Sequence, residues 1–334
     1  MAIGLGFASD PAEVSGTVSL TTVAGTYDSS YVPGAIAAAK PSGYGNRDCE
    51  PFTFEWAALS GADLYLHWEA YWGGQAANFD NSDTPRHVVI RDALDNDICI
   101  LNMRSTTFRL KAVGATTEFD DATTTWARNT KFTFDLKVSV DASNIVCEFY
   151  INGTLEATAT AANTTSGYGD AKKAYFENNQ MPYVSGAYTV YHSQLMALDS
   201  QSSVGGNLAV LAPDGDGGET DWSGDYTTLT GSGDAEMTAA SAALRSSWTL
   251  SEYGGAASPN IEAVAVQTTL SRDLSGPQNV TPFLRLSSTN YDGAAGSQAA
   301  DGVVRDEWTT NPATASAWAE ADLASLEAGL LSVA

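Results

Sequence analysis

Hydrophobic and polar residues alternate along most of this chain, with the period of two that is typical of β-strands. The clearest example is 131–140 (KFTFDLKVSV), in which every second residue from Phe132 to Val140 is apolar and the residues between them are polar. A strand of an antiparallel sheet with one buried and one solvated face explains this alternation. The following run, 145–151 (IVCEFYI), is apolar on both faces, so we predict that it lies inside the sheet rather than at its edge.

The dipeptide Asn152-Gly153 joins this run to the next strand-like run, 154–160 (TLEATAT). Asn-Gly between two such runs is the strongest local signal for a two-residue hairpin, because both turn positions require positive φ. The hairpin predicts three cross-strand pairs: Ile151 with Thr154, Tyr150 with Leu155, and Phe149 with Glu156.

Further strand-like runs precede and follow this hairpin, with polar turns between them, and together they predict an all-β chain. These runs are 17–23, 52–56, 64–72, 86–93, 97–105, 108–113, 174–180, 187–200, 248–253, 261–273, 280–290 and 302–308.

A Gly- and Asp-rich segment, 213–225 (PDGDGGETDWSGD), interrupts the series of strands and is predicted to be a loop or linker. We therefore predict two β domains, residues 1–205 and residues 206–334. From about Trp318 onward the residues are good helix formers, and leucines recur at three- and four-residue spacing. This pattern predicts that the second domain closes with a short C-terminal helix.

The chain is strongly acidic, with 16 Lys and Arg residues against 40 Asp and Glu residues and a net charge of −24. From residue 206 onward 4 cations face 17 acids, which gives −13 and leaves −11 for the first 205 residues. Both halves repel phosphates, which argues against nucleic acid as a partner. The chain contains no run of about 18 apolar residues, which a membrane-spanning helix would require. The N-terminus lacks the basic region of a secretory signal, so we expect synthesis in a cytosol without ordinary secretion.

Candidate catalytic residues are few. Glycoside hydrolysis needs two carboxylates that flank the scissile bond, but Glu148 stands alone on its strand, and Glu118 and Asp120 belong to a polar loop. The three histidines are scattered, and no G-x-S-x-G motif accompanies them. Cys99 and Cys147 lie in strand-like runs and are interpreted as small buried hydrophobic residues. We expect a protein without catalytic activity.

A calcium site is one candidate within the acidic segment. Its carboxylates are Asp214, Asp216, Asp221 and Asp225. The first two have the one-and-three spacing that begins many calcium loops. The remainder departs from that pattern, because Gly218 occupies the third ligand position and Asp225 replaces the bidentate Glu. The alternative is a hydrated acidic linker without a metal ion.

The run 64–72 offers a candidate sugar-binding face. Alternate residues of this run share one side of the strand: Tyr65, His67, Glu69 and Tyr71. Aromatic rings can stack on the C–H faces of a sugar, while His and Glu can hydrogen-bond its hydroxyls. The alternative is that these side chains pack against a loop or a neighbouring domain.

The run from Phe134 to Thr160 (FDLKVSVDASNIVCEFYINGTLEATAT) resembles the laminin-G or concanavalin-like lectin sandwich. In that family a long strand, a second strand and an Asn-Gly or Asp-Gly hairpin recur. The resemblance implies that the first domain is an antiparallel, concanavalin-like jelly roll. The strand-like runs after residue 206 predict the second, β-sandwich-like domain that follows it. This fold hosts many functions, so the motif alone does not identify one.

Two other segments are similar to a group of tailed-bacteriophage virion proteins. They are 187–224 (AYTVYHSQLMALDS through NLAVLAPDGDGGETDWSG) and 310–330 (TNPATASAWAEADLASLEAGL). In that group a lectin-like domain passes through a linker into a second β domain, which closes with an Asn-Pro-Ala-Thr turn, a Trp and a short helix. The resemblance covers roughly residues 130–334.

This resemblance implies a non-enzymatic structural protein on the virion exterior, made in the host cytoplasm. It would be a tail appendage or fibre for host adsorption, or a capsid-surface fibre or decoration. Its partners would be other virion proteins and a host surface glycan, and a homo-oligomer, with a trimer favoured, is expected. The expected assembly contact consists of Trp308, Trp318, Leu326 and Leu330. The alternative is a free carbohydrate-binding, lectin-like module; a glycosidase is disfavoured because paired carboxylates are missing.

Overall fold

In the computed structural model the chain forms two compact units, Met1–Leu208 and Ala209–Ala334, and each is described by itself. The predicted domain boundary, between residues 205 and 206, lies beside this division. The described residues are 4–8, 15–16, 19–21, 35–40, 51–56, 63–74, 86–104, 107–115, 117–125, 127, 130–164, 167–177, 188–199, 209, 211–230, 236–254, 259–271, 276–294, 296–300 and 302–334.

The described part of the first unit consists of β-strands. They are β1 (Gly4–Ala8), β2 (Ser15–Gly16), β3 (Ser19–Thr21), β4 (Ala35–Lys40), β5 (Phe52–Glu55), β6 (Asp63–Gly74), β7 (Arg86–Asp92), β8 (Asp97–Met103), β9 (Phe108–Ala112), β10 (Glu118–Asp121), β11 (Lys131–Val140), β12 (Asn144–Ile151), β13 (Thr154–Ala162), β14 (Ala171–Phe176) and β15 (Tyr188–Leu198).

These strands form two antiparallel sheets. The eight-stranded sheet has the order β13-β12-β11-β6-β15-β4-β3, with β1 also paired to β15. The seven-stranded sheet has the order β10-β9-β8-β7-β14-β5-β2. The predicted all-β, antiparallel sandwich is therefore confirmed, and β12 has a neighbour on each side as expected. One detail differs, because residues 118–121, expected to be a polar loop, pair with β9 as the edge strand β10.

The core of this unit lies between the two sheets and is rich in aromatic rings. Trp68 of β6 lies 5.2 Å from Phe134 of β11, centroid to centroid, and 5.9 Å from Phe176 of the opposite sheet. Phe134 also contacts Phe108 of the opposite sheet at 5.2 Å. Such ring pairs add to the stabilisation from burial alone. The alternation of β11 has its expected basis, because its apolar residues face this core.

The hairpin between β12 and β13 has the predicted turn. Asn152 has a φ of 49° and Gly153 a φ of 78°, the positive values that a tight hairpin requires. Two of the three predicted pairs are confirmed: Ile151 with Thr154 and Tyr150 with Leu155. The third prediction is wrong, since Phe149 pairs with Ala157 and Glu156 lies in a β-bulge. The carboxylate of Glu156 instead accepts hydrogen bonds from the backbone and hydroxyl groups of Thr123 and Thr124.

The described elements of the second unit are mainly strands. They are β16 (Pro213–Thr220), α1 (Tyr226–Thr230), β17 (Arg245–Leu250), β18 (Val264–Leu270), β19 (Asn279–Leu286), β20 (Thr289–Asp292), β21 (Gln298–Ala299), β22 (Gly302–Trp308), α2 (Glu320–Leu323) and β23 (Glu327–Val333). Neither of these two short helices has the length and apolar character that a membrane span requires.

One sheet of the second unit has the order β16-β17-β23-β19-β20, with β21 paired to β19, and the strands β18 and β22 form a separate pair. All of these pairings are antiparallel. Residues of both sheets share the core: Val280 of β19 clusters with Val304 of β22, and Leu284 of β19 clusters with Val266 of β18. The second unit is therefore also built from layered antiparallel strands.

The predicted C-terminal helix is largely wrong. Helix covers only Glu320–Leu323, and Glu327–Val333 forms β23, which pairs with β17 on one side and β19 on the other. A Cβ atom at Gly329 would lie 2.3 Å from the ring of Phe283, so only glycine fits against the neighbouring strand. Tertiary packing thus outweighs the helix propensity of Ala and Leu in this segment.

The acidic linker prediction is also wrong for most of its length. Residues Pro213–Thr220 form the edge strand β16, which pairs with β17. Its glycines allow a close approach, because a Cβ at Gly217 would lie 2.4 Å from oxygens of Ser247 and Glu327. A Cβ at Gly218 would lie 2.5 Å from the guanidinium of Arg285. These glycines give the segment the composition of a loop while it packs as a strand.

Candidate functional site

The polar face of β6 and β11 is the surface on which the four predicted sugar-face residues lie. The antiparallel register places polar residues of the two strands opposite each other: Tyr65 with Lys137, His67 with Asp135, Glu69 with Thr133, and Tyr71 with Lys131. The alternate residues of both strands, such as Leu66 and Leu136, face the core. The sequence therefore assigned these side chains to the correct face of the sheet.

A buried hydrogen-bonded pair and a neighbouring ion pair lie at the centre of this face. Nδ1 of His67 lies 2.7 Å from Oδ1 of Asp135, and both side chains are buried. A carboxylate at this distance fixes the orientation of the imidazole ring. Nε2 of the same ring is buried, with no hydrogen-bond partner among the described residues. Next to this pair, Nζ of Lys131 lies 3.0 Å from Oε1 of Glu69.

The four predicted sugar-face side chains are not exposed. Their exposed fractions are 6% for Tyr65, 0% for His67, 2% for Glu69 and 6% for Tyr71. In place of solvent, Tyr71 contacts Tyr191 of β15, with ring centroids 6.0 Å apart. This burial agrees with the alternative stated for the run, that these four side chains are packed rather than open to solvent. A role of these residues in sugar binding remains a prediction.

The same face is more accessible on β12 and β13. Tyr150 and Glu148 are half-buried, and the hydroxyl of Tyr150 donates to Oε2 of Glu148 at 3.0 Å. Glu148 lies opposite Lys137, and Tyr150 lies opposite Leu155, which is 50% exposed. We call these four residues, Lys137, Glu148, Tyr150 and Leu155, the β12 patch.

Charge and hydrogen bonding fix the protonation of the β12 patch. Burial alone would lower the pKa of Lys137, but a hydrogen bond with Tyr65 and the charges of Asp63 and Glu148 hold it above its usual value. Burial, together with the hydrogen bond to Glu148, raises the pKa of the Tyr150 hydroxyl. At neutral pH the patch therefore presents an ammonium group, a protonated phenol and an apolar side chain.

Sequence reasoning missed the β12 patch because Glu148 appeared as a single acid on its strand. The signal was nevertheless present in the hairpin. Once the Asn152-Gly153 turn fixes the register of β12 and β13, Tyr150 and Leu155 must lie side by side on one face.

The structure does not gather the candidate calcium ligands. Asp214 Oδ1 accepts from the Thr249 hydroxyl at 2.7 Å, and Asp216 Oδ1 accepts from the backbone N–H of Tyr226 at 2.8 Å. Asp221 Oδ2 accepts from the backbone N–H of residue 245 at 3.2 Å. Among the described residues no group of three or more His, Cys, Asp or Glu side chains could hold a metal ion. The carboxylates act instead as separate hydrogen-bond acceptors.

The residues expected to form an exposed assembly contact lie in the core of the second unit. Trp308 is 8% exposed and Trp318 is 4% exposed, while Leu326 and Leu330 are buried. The indole N–H of Trp318 donates to the backbone carbonyl of Trp308 at 2.7 Å. The expected exposure of these side chains is therefore wrong, because they stabilise the unit from within.

A shallow depression of about 370 Å³ lies beside the segments that follow β11 and β13. Its lining includes Asp141, Asn163 and Tyr168. The side chain of Asn163 donates to the backbone carbonyls of Asp141 and Tyr168 and accepts from the N–H of Tyr168. Asn163 thus fixes the local chain and has little hydrogen-bonding capacity left for a ligand.

No protein-family model matches this chain, and no curated protein matches it. Among solved structures, it is similar to botulinum neurotoxin type C, whose passage into cells depends on interaction with two ganglioside molecules. The identity is 11% and the TM-score 0.41, with 87% of this chain and 71% of that chain covered. The chain is also similar to the binding domain of botulinum neurotoxin serotype C1. Here the identity is 10% and the TM-score 0.40, with 84% of this chain and 68% of that chain covered.

A third similar structure is the binding domain of Paraclostridial Mosquitocidal Protein 1. Its identity to this chain is 8% and its TM-score 0.39, with 60% of this chain and 50% of that chain covered. Similarity at this level indicates neither common ancestry nor a shared ligand.

Proposed function

We propose that this chain is a non-enzymatic binding protein whose first unit recognises a surface glycan through the β12 patch. The observation that carries this proposal is the arrangement of the patch itself. The ring of Tyr150 has its hydroxyl tied to Glu148, and Leu155 extends the apolar surface beside it. A sugar needs this combination, because it presents an apolar C–H face together with hydroxyl groups.

Buried contacts beside the patch, on the same face of the sheet, hold the neighbouring strands together. The His67–Asp135 contact and the Lys131–Glu69 ion pair connect β6 to β11, the strand next to β12. Lys137 belongs to the patch and also lies over the ring of Tyr65, with Nζ 5.5 Å from the ring centroid. The side chains that would contact a ligand therefore project from a braced part of the sheet.

The biological setting that we propose is the exterior of a tailed-phage particle, where glycan binding would serve adsorption to the host. This part of the proposal rests on the resemblance of the motifs in 187–224 and 310–330 to those of virion proteins. Labelling purified particles with an antibody against this chain tests the location. Particles without label would leave the alternative, a free lectin-like module, and would not affect the glycan-binding proposal.

The glycan-binding proposal is tested by probing a glycan array with the purified full chain and with the variant Tyr150→Ala. We expect binding to at least one glycan class and a loss of about tenfold in affinity in the variant, which corresponds to ~1.4 kcal/mol. The matched control is Tyr175→Ala. Tyr175 is also half-buried, but it lies on the seven-stranded sheet beneath the guanidinium of Arg91.

The control variant should bind as the unchanged chain does. Equal losses in both variants, or no loss in Tyr150→Ala, would contradict the assignment of the patch. Release of free sugar from a bound glycan would instead indicate a glycosidase.

A further inference from the structure

An exposed aromatic ring lies between cations at one edge of the seven-stranded sheet. Phe119 of the edge strand β10 is 44% exposed, and it pairs directly with Lys111 of β9. Nζ of Lys111 lies 5.2 Å from the centroid of the Phe119 ring, and Cζ of Arg109 lies 4.8 Å from it. The residue between the two cations, Leu110, belongs to the core. The ring and both cations therefore lie on the outer face of this sheet.

The charges on this face are unusual for a chain whose net charge is −24. Arg104 and Arg109 both pair with Asp121, at 3.1 and 3.0 Å from its Oδ1, so the two guanidinium groups share this carboxylate. Lys111 contacts the ring of Phe119, and no carboxylate of the described residues pairs with its ammonium group. A cation that an anionic ligand can reach therefore lies beside an exposed apolar ring.

The acidic neighbours of Phe119 along β10 do not share this face. Glu118 and Asp120 alternate with Phe119 along the strand, so their side chains lie on its other side. There, Oδ2 of Asp120 accepts from the backbone N–H of Thr158 in β13 at 2.8 Å. The carboxylate of Asp120 is thus held toward the other sheet, away from the ring.

We propose that Phe119 and Lys111 form a second carbohydrate-binding site, separate from the β12 patch, for a sugar that carries a carboxylate, such as a uronic acid. In a uronic acid the carboxylate is bonded directly to a ring carbon, so that an apolar C–H face and a negative charge lie side by side. The exposed surface of the Phe119 ring would pack against the C–H face. The ammonium of Lys111 would donate to the carboxylate in a charge-assisted hydrogen bond.

The close spacing of ring and ammonium favours a sugar over an acidic protein segment. The carboxylates of Asp and Glu side chains in a peptide lie at the ends of flexible chains that have no flat apolar face. Such a segment would use the charge of Lys111 and leave the ring of Phe119 exposed. Hexaglutamate therefore serves as the probe for this other occupant.

The test titrates the full chain with oligosaccharides of galacturonate, mannuronate and guluronate, and with their methyl esters, which keep the sugar ring and remove the charge. A chelator is present throughout, because divalent cations bridge carboxylates. We expect at least one acid form to bind and its methyl ester to bind about tenfold more weakly, because the ester cannot form a charged hydrogen bond. Added NaCl should weaken binding of the acid form, since salt screens exposed charges.

Phe119→Ala and Lys111→Gln should each weaken binding of the acid form by about tenfold. Lys111→Gln should leave the affinity for the methyl ester unchanged. Leu94→Ala is the matched control for the ring, because Leu94 is also an exposed hydrophobic residue. Lys173→Gln is the matched control for the charge, because Lys173 lies in the same sheet but pairs with Asp95 at 2.7 Å. Neither control should change binding.

The two proposed sites can fail independently. Tyr150→Ala should leave binding of the uronate unchanged, and Phe119→Ala should leave binding through the β12 patch unchanged. The proposal would be overturned by a lack of binding to every acid form, by equal affinities for acid and ester, or by binding that persists in Phe119→Ala or Lys111→Gln. Hexaglutamate that binds as tightly as the best uronate, and loses affinity in Lys111→Gln, would identify an acidic protein segment as the occupant instead.

Discussion

At the scale of single residues, the most unusual feature of the core is a pair of stacked imidazole rings. His87 of β7 and His192 of β15 come from opposite sheets, with ring centroids 5.6 Å apart. Phe52 and Phe176 contact His192 at 5.2 and 5.0 Å. Burial lowers the pKa of His192 well below its usual range, and the neighbouring His87 lowers it further. The folded state therefore favours the neutral form of the His192 ring.

This lowered pKa predicts a loss of stability in acid. The unfolded chain binds a proton at His192 near pH 6.5, whereas the folded chain binds it only at a much lower pH. The free energy of unfolding therefore keeps the full contribution of neutral His192 above pH 6.5. As the pH falls below this value, that contribution is lost by up to about 1.4 kcal/mol per pH unit. Urea unfolding between pH 5 and pH 8 measures this slope. His192→Phe should remove one proton from the number taken up on unfolding in acid and so reduce this slope. An unchanged slope would contradict the assignment to His192.

Residue-scale features could be predicted from the sequence only where their cause is local. The Asn152-Gly153 turn depends on two adjacent residues, and both have the positive φ that the sequence implied. The bulge at Glu156 depends on Thr123 and Thr124, more than 30 positions earlier, so no local pattern could indicate it. For Tyr71 the sequence left two alternatives open, a sugar-binding face and packing, because alternation assigns a residue to a face but does not say what else packs there.

At the scale of whole elements, β23 offers a test with a definite sign. If residues 327–333 were a helix, Gly329→Ala would stabilise the second unit by about 1 kcal/mol. In the strand, the added methyl meets the ring of Phe283 and the carbonyl oxygen of Ser246 at 2.6 Å or less. We therefore expect Gly329→Ala to destabilise the second unit by about 1–3 kcal/mol, as overpacked cores are. Urea unfolding followed by circular dichroism measures the change.

The matched control for this experiment is Gly254→Ala. A Cβ at Gly254 would meet no atom within 4 Å, so this substitution should change the unfolding free energy little. Stabilisation by Gly329→Ala would contradict the strand assignment, and equal destabilisation in both variants would show that the close contact at Gly329 is not the cause.

The elements that the sequence predicted well are those whose periodicity and burial agree. The alternation of 131–140 corresponds to a strand between two others, with its apolar face on the core. In Pro213–Thr220 and Glu327–Val333 the two signals disagree, because Gly and Asp favour loops and Ala and Leu favour helices. Pairing with β17, which lies between these two strands, determines both structures. The partner strand that determines each structure therefore lies more than 25 positions away in the sequence, where a local pattern does not reach.

At the scale of the whole molecule, the excess of acids is the dominant electrostatic feature. Even if every one of the 16 cations paired with one acid, 40 − 16 = 24 carboxylates would remain without a partner. The described Lys and Arg ion pairs are partly open to solvent, such as Arg104 with Asp121 and Arg245 with Asp292. Exposed pairs contribute little, typically below about 1 kcal/mol. Mutual repulsion should therefore outweigh pairing in the balance of surface charges.

This balance predicts that salt stabilises the protein. Raising NaCl from 0.01 M to 0.1 M shortens the Debye length from about 30 Å to about 10 Å, which screens repulsion between separated carboxylates. Since self-repulsion opposes the compact state, the urea midpoint should rise over this range. Repeating the titration with choline chloride, with a chelator present throughout, distinguishes general screening from binding of a particular cation. A midpoint that falls with salt would mean that the ion pairs, rather than the 24 excess carboxylates, dominate the surface electrostatics of the folded chain.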